Sequence, residues 1–325
     1  MVNIISQYAE TSTDTVLDYL KWLGSDFKRI NEEDTIKGVS IEIGDDSENV
    51  VINYDLERKV HLHEFQNAWY RKGDYSMALP AKRKEINNDF VEKFLMDEWG
   101  FIKNFLHKSS KSLGGFSFEI ENNKLLNLKY AKQAGLNIPT TLVTTNKSEL
   151  VTFIQKHKKV ITKPIHNAHV GYKYEGNHIV SKGTQTIEMG HLEGLEAIFC
   201  PLLAQEYTEK EIELRVFFLG NVLYTMAIFS QLDEKTKLDY RNYNAEKPNR
   251  NVPYQFSQKE EKCIIEFIKL SSLNTGSIDL ILTKEGKIVF LEVNPTGQFG
   301  WVSETCNYYI EEAIARYLLN KNNFN

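Results

Sequence analysis

The densest chemistry in the chain lies between Ile278 and Asn294. A two-residue turn at Glu285-Gly286, flanked by Lys284 and Lys287, sets Asp279 directly opposite Glu292, and opposed positions of an antiparallel hairpin share one face. Asn294 lies two residues beyond Glu292 and joins that face, while Ile278, Leu280, Leu282, Val289, Leu291 and Val293 make the other face apolar. Two carboxylates about 5 Å apart repel by about 3 kcal/mol at an effective dielectric of about 20, and like charges directly opposed destabilise a sheet. A hard divalent cation resolves the repulsion: Mg²⁺ takes a few carboxylate and amide oxygens and fills its sphere from phosphates and water. A solvated acidic sheet end is the other reading of the same spacing.

An earlier hairpin, turning at Gly220-Asn221, places Glu213 and Arg215 on one face with Leu214, Val216 and Phe218 on the other. Taken alone they read equally as a plain ion pair. Lys163 interrupts the apolar run VITKP, and Lys124 opens a helix whose dipole opposes its charge. Both suit an anion, although a snorkelling lysine gives the same pattern. His61 and His63 share a strand face without a third ligand nearby, and His166, His169, His178 and His191 lack zinc spacing. No G-x-S-x-G, H-E-x-x-H or G-x-x-x-x-G-K-[ST] occurs, which removes hydrolase triads, zincins and P-loops.

The elements that must carry these residues follow from periodicity. Val2 to Ser6, a helix capped by Thr13 with Val16, Leu17, Leu20 and Leu23, and the strand Phe27 to Asn31 form a β-α-β start. No G-x-G-x-x-G follows the first strand, so dinucleotide binding there is disfavoured. Val39 to Ile43 and Val50 to Tyr54 alternate as strands, and Asn88 to Leu106 carries Phe90, Phe94, Leu95 and Ile102 as a helical stripe. The polar run KSSKSLGG, Lys108 to Gly115, marks a boundary. Next come a helix from Asn123 to Gly135, a strand Thr141 to Thr144, and a helix with Asn146 and Glu149 as its capping box. After the strand Val160 to Pro164, the stretch from His166 to Glu193 reads as a hairpin or lid. Ile198 to Tyr207, the two hairpins, the helix Ser257 to Ser272 and a final amphipathic helix, Ser303 to Leu319, complete the chain.

With 325 residues, the chain exceeds what one core usually serves, so two or three packed units are expected. The hydrophobic share of 42% and charged share of 26% are those of a packed globular protein, and a net charge of −5 argues against nucleic acid as partner. Neither a membrane-spanning run nor a secretory signal is seen, so a cytoplasmic protein without membrane association is expected. Cys200, Cys263 and Cys306 are odd in number and far apart, as buried packing thiols would be.

In order, Lys124, VITKP with Lys163, the hinge-like Gln205-Glu206-Tyr207, Glu213-Leu214-Arg215 and the D…E-x-N set ending at Asn294 resemble the ATP-grasp ligases. More narrowly, AWYRK at Ala68 to Lys72, AGLNIPTT, SQ…DYR at Ser230 to Arg241 and LEVNPTGQFGW at Leu291 to Trp301 resemble graspetide synthetases of the microviridin type. The opening IIS…W…RINEED is most similar to the subgroup of peptide maturases paired with a SPASM-domain protein. The resemblance implies an α/β (α+β) ATP-grasp fold in three parts: an N-terminal Rossmann-like pre-ATP-grasp domain over 1–115, a central subdomain with the phosphate lid over 116–204, and a C-terminal subdomain with the Mg²⁺ site over 205–325. It further implies that Lys124 and Lys163 contact ATP phosphates and that the backbone around Gln205, Glu206 and Tyr207 reads adenine. Glu213 would hold the ribose, and Asp279, Glu292 and Asn294 would hold Mg²⁺. Arg215 and Arg241 would face the γ-phosphate and the substrate carboxylate. Asp239 is the candidate base, and Tyr240 stands where relatives often carry Trp.

The activity so implied is ATP-dependent activation of Asp or Glu side chains in a precursor peptide as acyl phosphates. Ser, Thr or Lys side chains then attack to close ester or amide rings. The partners implied are a precursor with leader and acidic core and a SPASM-domain protein, and a homodimer is the expected assembly. An ATP-grasp enzyme that adds free amino acids is the first alternative, and a non-catalytic ATP-binding module is the second.

Overall fold

Val2–Ser6 (β1) is buried along its whole length, as a strand with parallel neighbours on both sides should be. The computed structural model describes residues 1–54, 58–61, 67–77, 88–108, 111–157, 159–166, 171–174, 177–180, 183–232, 236, 244–246 and 248–320. They fall into two compact units: residues 1–122 with 273–276 and 294–325, and residues 123–272 with 277–293. No helix of the described residues is long and apolar enough to cross a membrane.

In the first unit, α1 (Thr11–Trp22) connects β1 to β2 (Phe27–Asn31). Glu10, not Thr13, is its N-cap; Thr13 is fully buried and shares a 2.8 Å hydrogen bond with Ser6, which a capping residue at the surface could not make. Then come β3 (Thr35–Ile36), β4 (Gly38–Ile43), β5 (Glu48–Asn53), β6 (Lys59–His61), β7 (Asn67–Tyr70) and β8 (Ser76–Met77). They are followed by α2 (Asn88–Lys108), β9 (Ser112–Leu113) and α3 (Phe116–Ile120). A four-stranded parallel sheet has the order β2-β1-β7-β9, which bears out the β-α-β reading. The stripe expected on α2 holds only in part: Ile102 packs against the core, Phe90 and Phe94 are exposed, and Trp99 and Leu106 are buried in the core, with Trp99 Nε1 donating to Tyr75 O. His63 lies outside the described residues.

The second unit opens with α4 (Lys124–Gln133), capped by Asn123, whose side chain accepts from Leu125 N and Leu126 N. β10 (Thr141–Asn146) leads into α5 (Lys147–His157). The expected capping box there is only half formed, because Glu149 accepts from the Thr144 hydroxyl while Asn146 alone caps, through Ser148 N. β11 (Val160–Lys163), the hairpin β12 (Gly171–Tyr174) and β13 (Asn177–Val180), β14 (Gln185–Ile187) and β15 (Ile198–Glu206) follow. One sheet runs β10-β15-β11-β14. Cys200, expected to be buried, is exposed in the outer half of β15; Cys306 is buried and all three thiols are free.

β16 (Ile212–Leu219) and β17 (Val222–Phe229) form the expected hairpin, with Leu219 opposite Val222 around Gly220-Asn221. β18 (Arg250–Pro253), α6 (Gln258–Ser271), β19 (Thr275–Leu282) and β20 (Ile288–Asn294) complete a five-stranded sheet, β18-β17-β16-β19-β20. Ser257 and Glu260 make the full capping box of α6. The second hairpin does not turn at two residues. Thr283 N donates to Lys287 O and Gly286 N to Thr283 O, so Lys284-Glu285-Gly286 is a three-residue loop, and Gly286 takes the left-handed conformation at φ 75° that glycine tolerates.

Past β20 the chain returns to the first unit. The single C-terminal helix expected is two helices, α7 (Gly300–Cys306) and α8 (Ile310–Leu319), broken where Asn307 and Tyr309 adopt left-handed φ values of 54° and 52°. α8 packs on α1 and β7, and Asn67 Nδ2 donates to Leu318 O at 2.8 Å.

Candidate active site

Strand β16 is buried almost throughout, so its two charged residues must find partners. Arg215 Nη1 donates to Asp279 Oδ1 at 2.7 Å, with side-chain exposures of 9% and 14%. Glu213 Oε1 accepts from Lys210 Nζ at 2.8 Å and from Ser230 Oγ at 2.6 Å. Lys210 is itself buried. The sequence shows only a lysine three residues before Glu213, and its pairing depends on the chain turning into β16.

Lys124, the first residue of α4, donates from Nζ to Pro164 O at 2.9 Å and lies 3.9 Å from Glu292 Oε2. It therefore joins the end of the VITKP strand to the acidic hairpin. Lys163 closes β11 opposite Leu203 and is half buried. Asp279 and Glu292 are thus each approached by a different cation. The three-residue loop 284–286 removes the two-residue turn on which the direct opposition of Asp279 and Glu292 was counted. Leu291, expected on the fully apolar face, instead lines a slot together with Ile281, two residues from Asp279 on the same strand.

That slot is completed by Pro139, Ile161, Gln205, Glu206, Tyr207, Thr208 and Lys210. Gln205 is 1% exposed and its Nε2 donates to Thr141 Oγ1, so its side chain holds the β10-β15 edge together. Glu206 N donates to Thr140 O and Tyr207 N to Lys159 O, which commits both amides to structure. The Glu206 carboxylate turns away to Thr140 N and to His157 Nδ1, 3.4 Å distant. Lys159 Nζ sits 3.6 Å from the Tyr207 ring centroid. Beside the slot, Tyr207 and Lys210 also border a cleft of about 630 Å³ with Lys159, Glu209, Glu211, Phe229, Gln231 and Lys284.

Asn294 ends β20 and is exposed; its Oδ1 accepts from Thr296 N at 3.0 Å. Among the described residues no group of three His, Cys, Asp or Glu side chains forms a metal site. Asp279 and Glu292 offer carboxylate oxygens and Asn294 an amide oxygen, donor types that suit Mg²⁺, which fills its sphere from phosphate and water. Asp239, Tyr240 and Arg241 lie outside the described residues, as does His169.

A slot lined by Ile161, Ile281 and Leu291, Lys124 beside the Glu292 carboxylate, and the Arg215–Asp279 pair all lie in the second unit. The chain belongs to the RimK-like ATP-grasp family, whose model matches residues 121–318. It is similar to the Chryseobacterium gregarium RiPP-associated ATP-grasp ligase solved with ADP and a leader and core peptide: 28% identity, 98% of this chain and 96% of that one covered, TM-score 0.84. It is also similar to the macrocyclase MdnC of Microcystis aeruginosa MRC, solved with the precursor peptide MdnA, at 27% identity, 98% and 100% coverage and TM-score 0.79. The ATP-grasp ligase PsnB, solved with Mg, ADP and a precursor variant, shares the fold at 14% identity, 99% and 98% coverage and TM-score 0.71. Among curated proteins none matches the chain in sequence.

Proposed function

We propose that this chain is an ATP-dependent peptide macrocyclase that activates Asp or Glu side chains of a ribosomally made precursor and joins them to Ser, Thr or Lys side chains. The observation that carries this reading is the charge arrangement: Arg215 on Asp279 and Lys124 beside Glu292 gather cations and carboxylates where a triphosphate and a divalent ion can replace their mutual contacts. The likeness to two enzymes solved with peptide substrates supports a peptide as the acceptor.

In this reading adenine enters the slot between Ile161, Ile281 and Leu291, and the Thr208 amide reads its edge, since those of Glu206 and Tyr207 are committed elsewhere. Glu213, held by Lys210 and Ser230, accepts hydrogen bonds from the ribose hydroxyls. Lys124 and Lys163 bind the phosphates, and Asp279, Glu292 and Asn294 supply oxygens to Mg²⁺. When bound, Mg²⁺ screens the charge of the γ-phosphate from the approaching carboxylate. Arg215 and Arg241 hold that carboxylate by paired hydrogen bonds while it takes the γ-phosphoryl group and ADP leaves, and they stabilise the oxyanion formed when a hydroxyl or amine attacks the acyl phosphate, which collapses with loss of inorganic phosphate. Asp239 takes the proton of the attacking group. Holding both ends of one peptide makes the closure effectively unimolecular.

The finer assignments belong to the same proposal: a Rossmann-like pre-ATP-grasp domain over 1–115 with two ATP-grasp subdomains after it, a cytoplasmic homodimer, and a SPASM-domain partner. The parallel sheet β2-β1-β7-β9 supports the first. The test is ADP release with ATP, Mg²⁺ and the precursor peptide encoded beside the gene. Release that depends on the peptide supports a peptide ligase, and release indifferent to it overturns one.

A further inference from the structure

Arg71, in the AWYRK run just after β7, is a buried arginine that none of the roles above uses. It is 3% exposed. Its Nη1 donates to Thr296 O at 2.7 Å, its Nη2 lies 3.4 Å from Glu10 Oε1, and its guanidinium carbon sits 5.2 Å from the Phe299 ring centroid. Burying a guanidinium is costly, and its rigid fork repays that cost by fixing whatever it bonds. Here the object fixed is the loop that follows β20.

The same loop is gripped from a second direction. Thr296 Oγ1 lies 3.2 Å from Glu119 Oε1, and the other oxygen of that carboxylate accepts from Tyr70 OH at 3.0 Å. Tyr70 and Arg71 are adjacent in the chain, so one strand end holds Thr296 by its carbonyl directly and by its hydroxyl through Glu119. Thr296 N in turn donates to the side chain of Asn294. A backbone N–H can only donate, so the Asn294 atom it meets must be the carbonyl oxygen, which settles the orientation of the amide. That oxygen has two lone pairs; the Thr296 amide takes one, and the Thr296 hydroxyl, 3.3 Å away, has a single proton that goes either to this oxygen or to Glu119 Oε1, so the Glu119 bond keeps the second lone pair open.

We infer that Arg71 and Glu119 are positioning residues for Asn294: they lock Thr296, whose amide aims the Asn294 oxygen at a divalent cation. This rests on the reading of Asn294 as a Mg²⁺ ligand. Partners behind a metal ligand set its orientation, and their loss lowers metal affinity without touching the ion.

The test uses the full chain with ADP, and Mn²⁺ as the probe, with free Mn²⁺ measured by electron paramagnetic resonance. Arg71→Ala and Glu119→Ala should each weaken Mn²⁺ binding by about tenfold, while Glu119→Gln, which still bonds both hydroxyls, should stay within about threefold. Thr296→Val covers the case in which loss of buried Arg71 prevents folding; it should also lose about tenfold in Mn²⁺ affinity with its thermal midpoint little changed. Asn294→Ala is run alongside. If Asn294→Ala loses Mn²⁺ and the other variants bind as the parent does, the positioning role is overturned and the ligand reading stands. If Asn294→Ala binds Mn²⁺ normally, the ligand reading fails and this inference with it.

Discussion

Arg215 donates to Asp279 at 2.7 Å between two neighbouring strands, so the first proposed metal ligand already carries a positive partner within the protein. Removing the guanidinium takes a positive partner from a nearly buried carboxylate. Arg215→Met should therefore cost about 3 kcal/mol of stability, and adding Asp279→Leu should recover much of it. Urea unfolding of the two single variants and the double variant measures this; additive losses would show that the pair is not coupled.

Arg215→Lys keeps the charge but not the fork. It should lower turnover by at least about 100-fold while ADP affinity stays within about threefold, because the paired hydrogen bonds matter most in the transition state. Steady-state rates and calorimetry separate the two quantities. An affinity that falls as far as the rate would make Arg215 a nucleotide-binding residue only.

Lys124 spans Pro164 O and Glu292, and Lys163 ends the same strand that Pro164 follows. Lys163→Met and Lys124→Met should each weaken ATP binding by at least about tenfold, from loss of a charge-assisted contact of about 1.5–3 kcal/mol. Calorimetry showing parental affinity would return the lysine concerned to an ordinary surface role.

Glu213 is oriented by two donors, as a ligand for a vicinal diol would need to be. The parent should prefer ATP over 2′-deoxy-ATP by about tenfold, and Glu213→Gln should narrow that preference, since one charged acceptor is worth about 1.5 kcal/mol. Equal discrimination in both proteins would place the ribose elsewhere.

His107 is buried against Phe116, their ring centroids 4.2 Å apart, and touches Asp74 at 3.2 Å. Burial lowers its pKa, and the pull of Asp74 only partly opposes this. A lowered folded-state pKa means that the unfolded chain takes up a proton the folded one refuses, so stability is full above about pH 6.5 and declines as pH falls from there toward the folded value. His107→Phe should flatten the change in thermal midpoint between about pH 7 and about pH 5. An unchanged acid slope would assign it to other groups.

Local chemistry made much of the fold legible. Gly220-Asn221 can make a tight turn at no steric cost, and Ser257 with Glu260 forms its capping box from residues three apart. Glu285-Gly286 suits a two-residue turn and a three-residue loop alike, and the choice rests on the Thr283–Lys287 and Gly286–Thr283 backbone bonds, which residue types do not specify. The break between α7 and α8 depends on Asn307 and Tyr309 taking left-handed conformations that periodicity cannot register. In the site, Glu213 and Arg215 were legible as a shared face. Lys210 and Ser230 were not, because their bonds to Glu213 form only once the segments either side of β16 and β17 close on it. Phe90 and Phe94 have helical spacing but face outward, since spacing names a face without saying which face the core takes.

The central claim is ring closure by removal of water, and intact-mass spectrometry of the precursor peptide after incubation with the enzyme, ATP and Mg²⁺ tests it most directly. The peptide should lose one water for each ring, with one ADP formed each time, and should be unchanged when Glu292→Gln replaces the parent enzyme. A peptide that gains the mass of an added amino acid, or that consumes ATP with its mass unchanged, would contradict it.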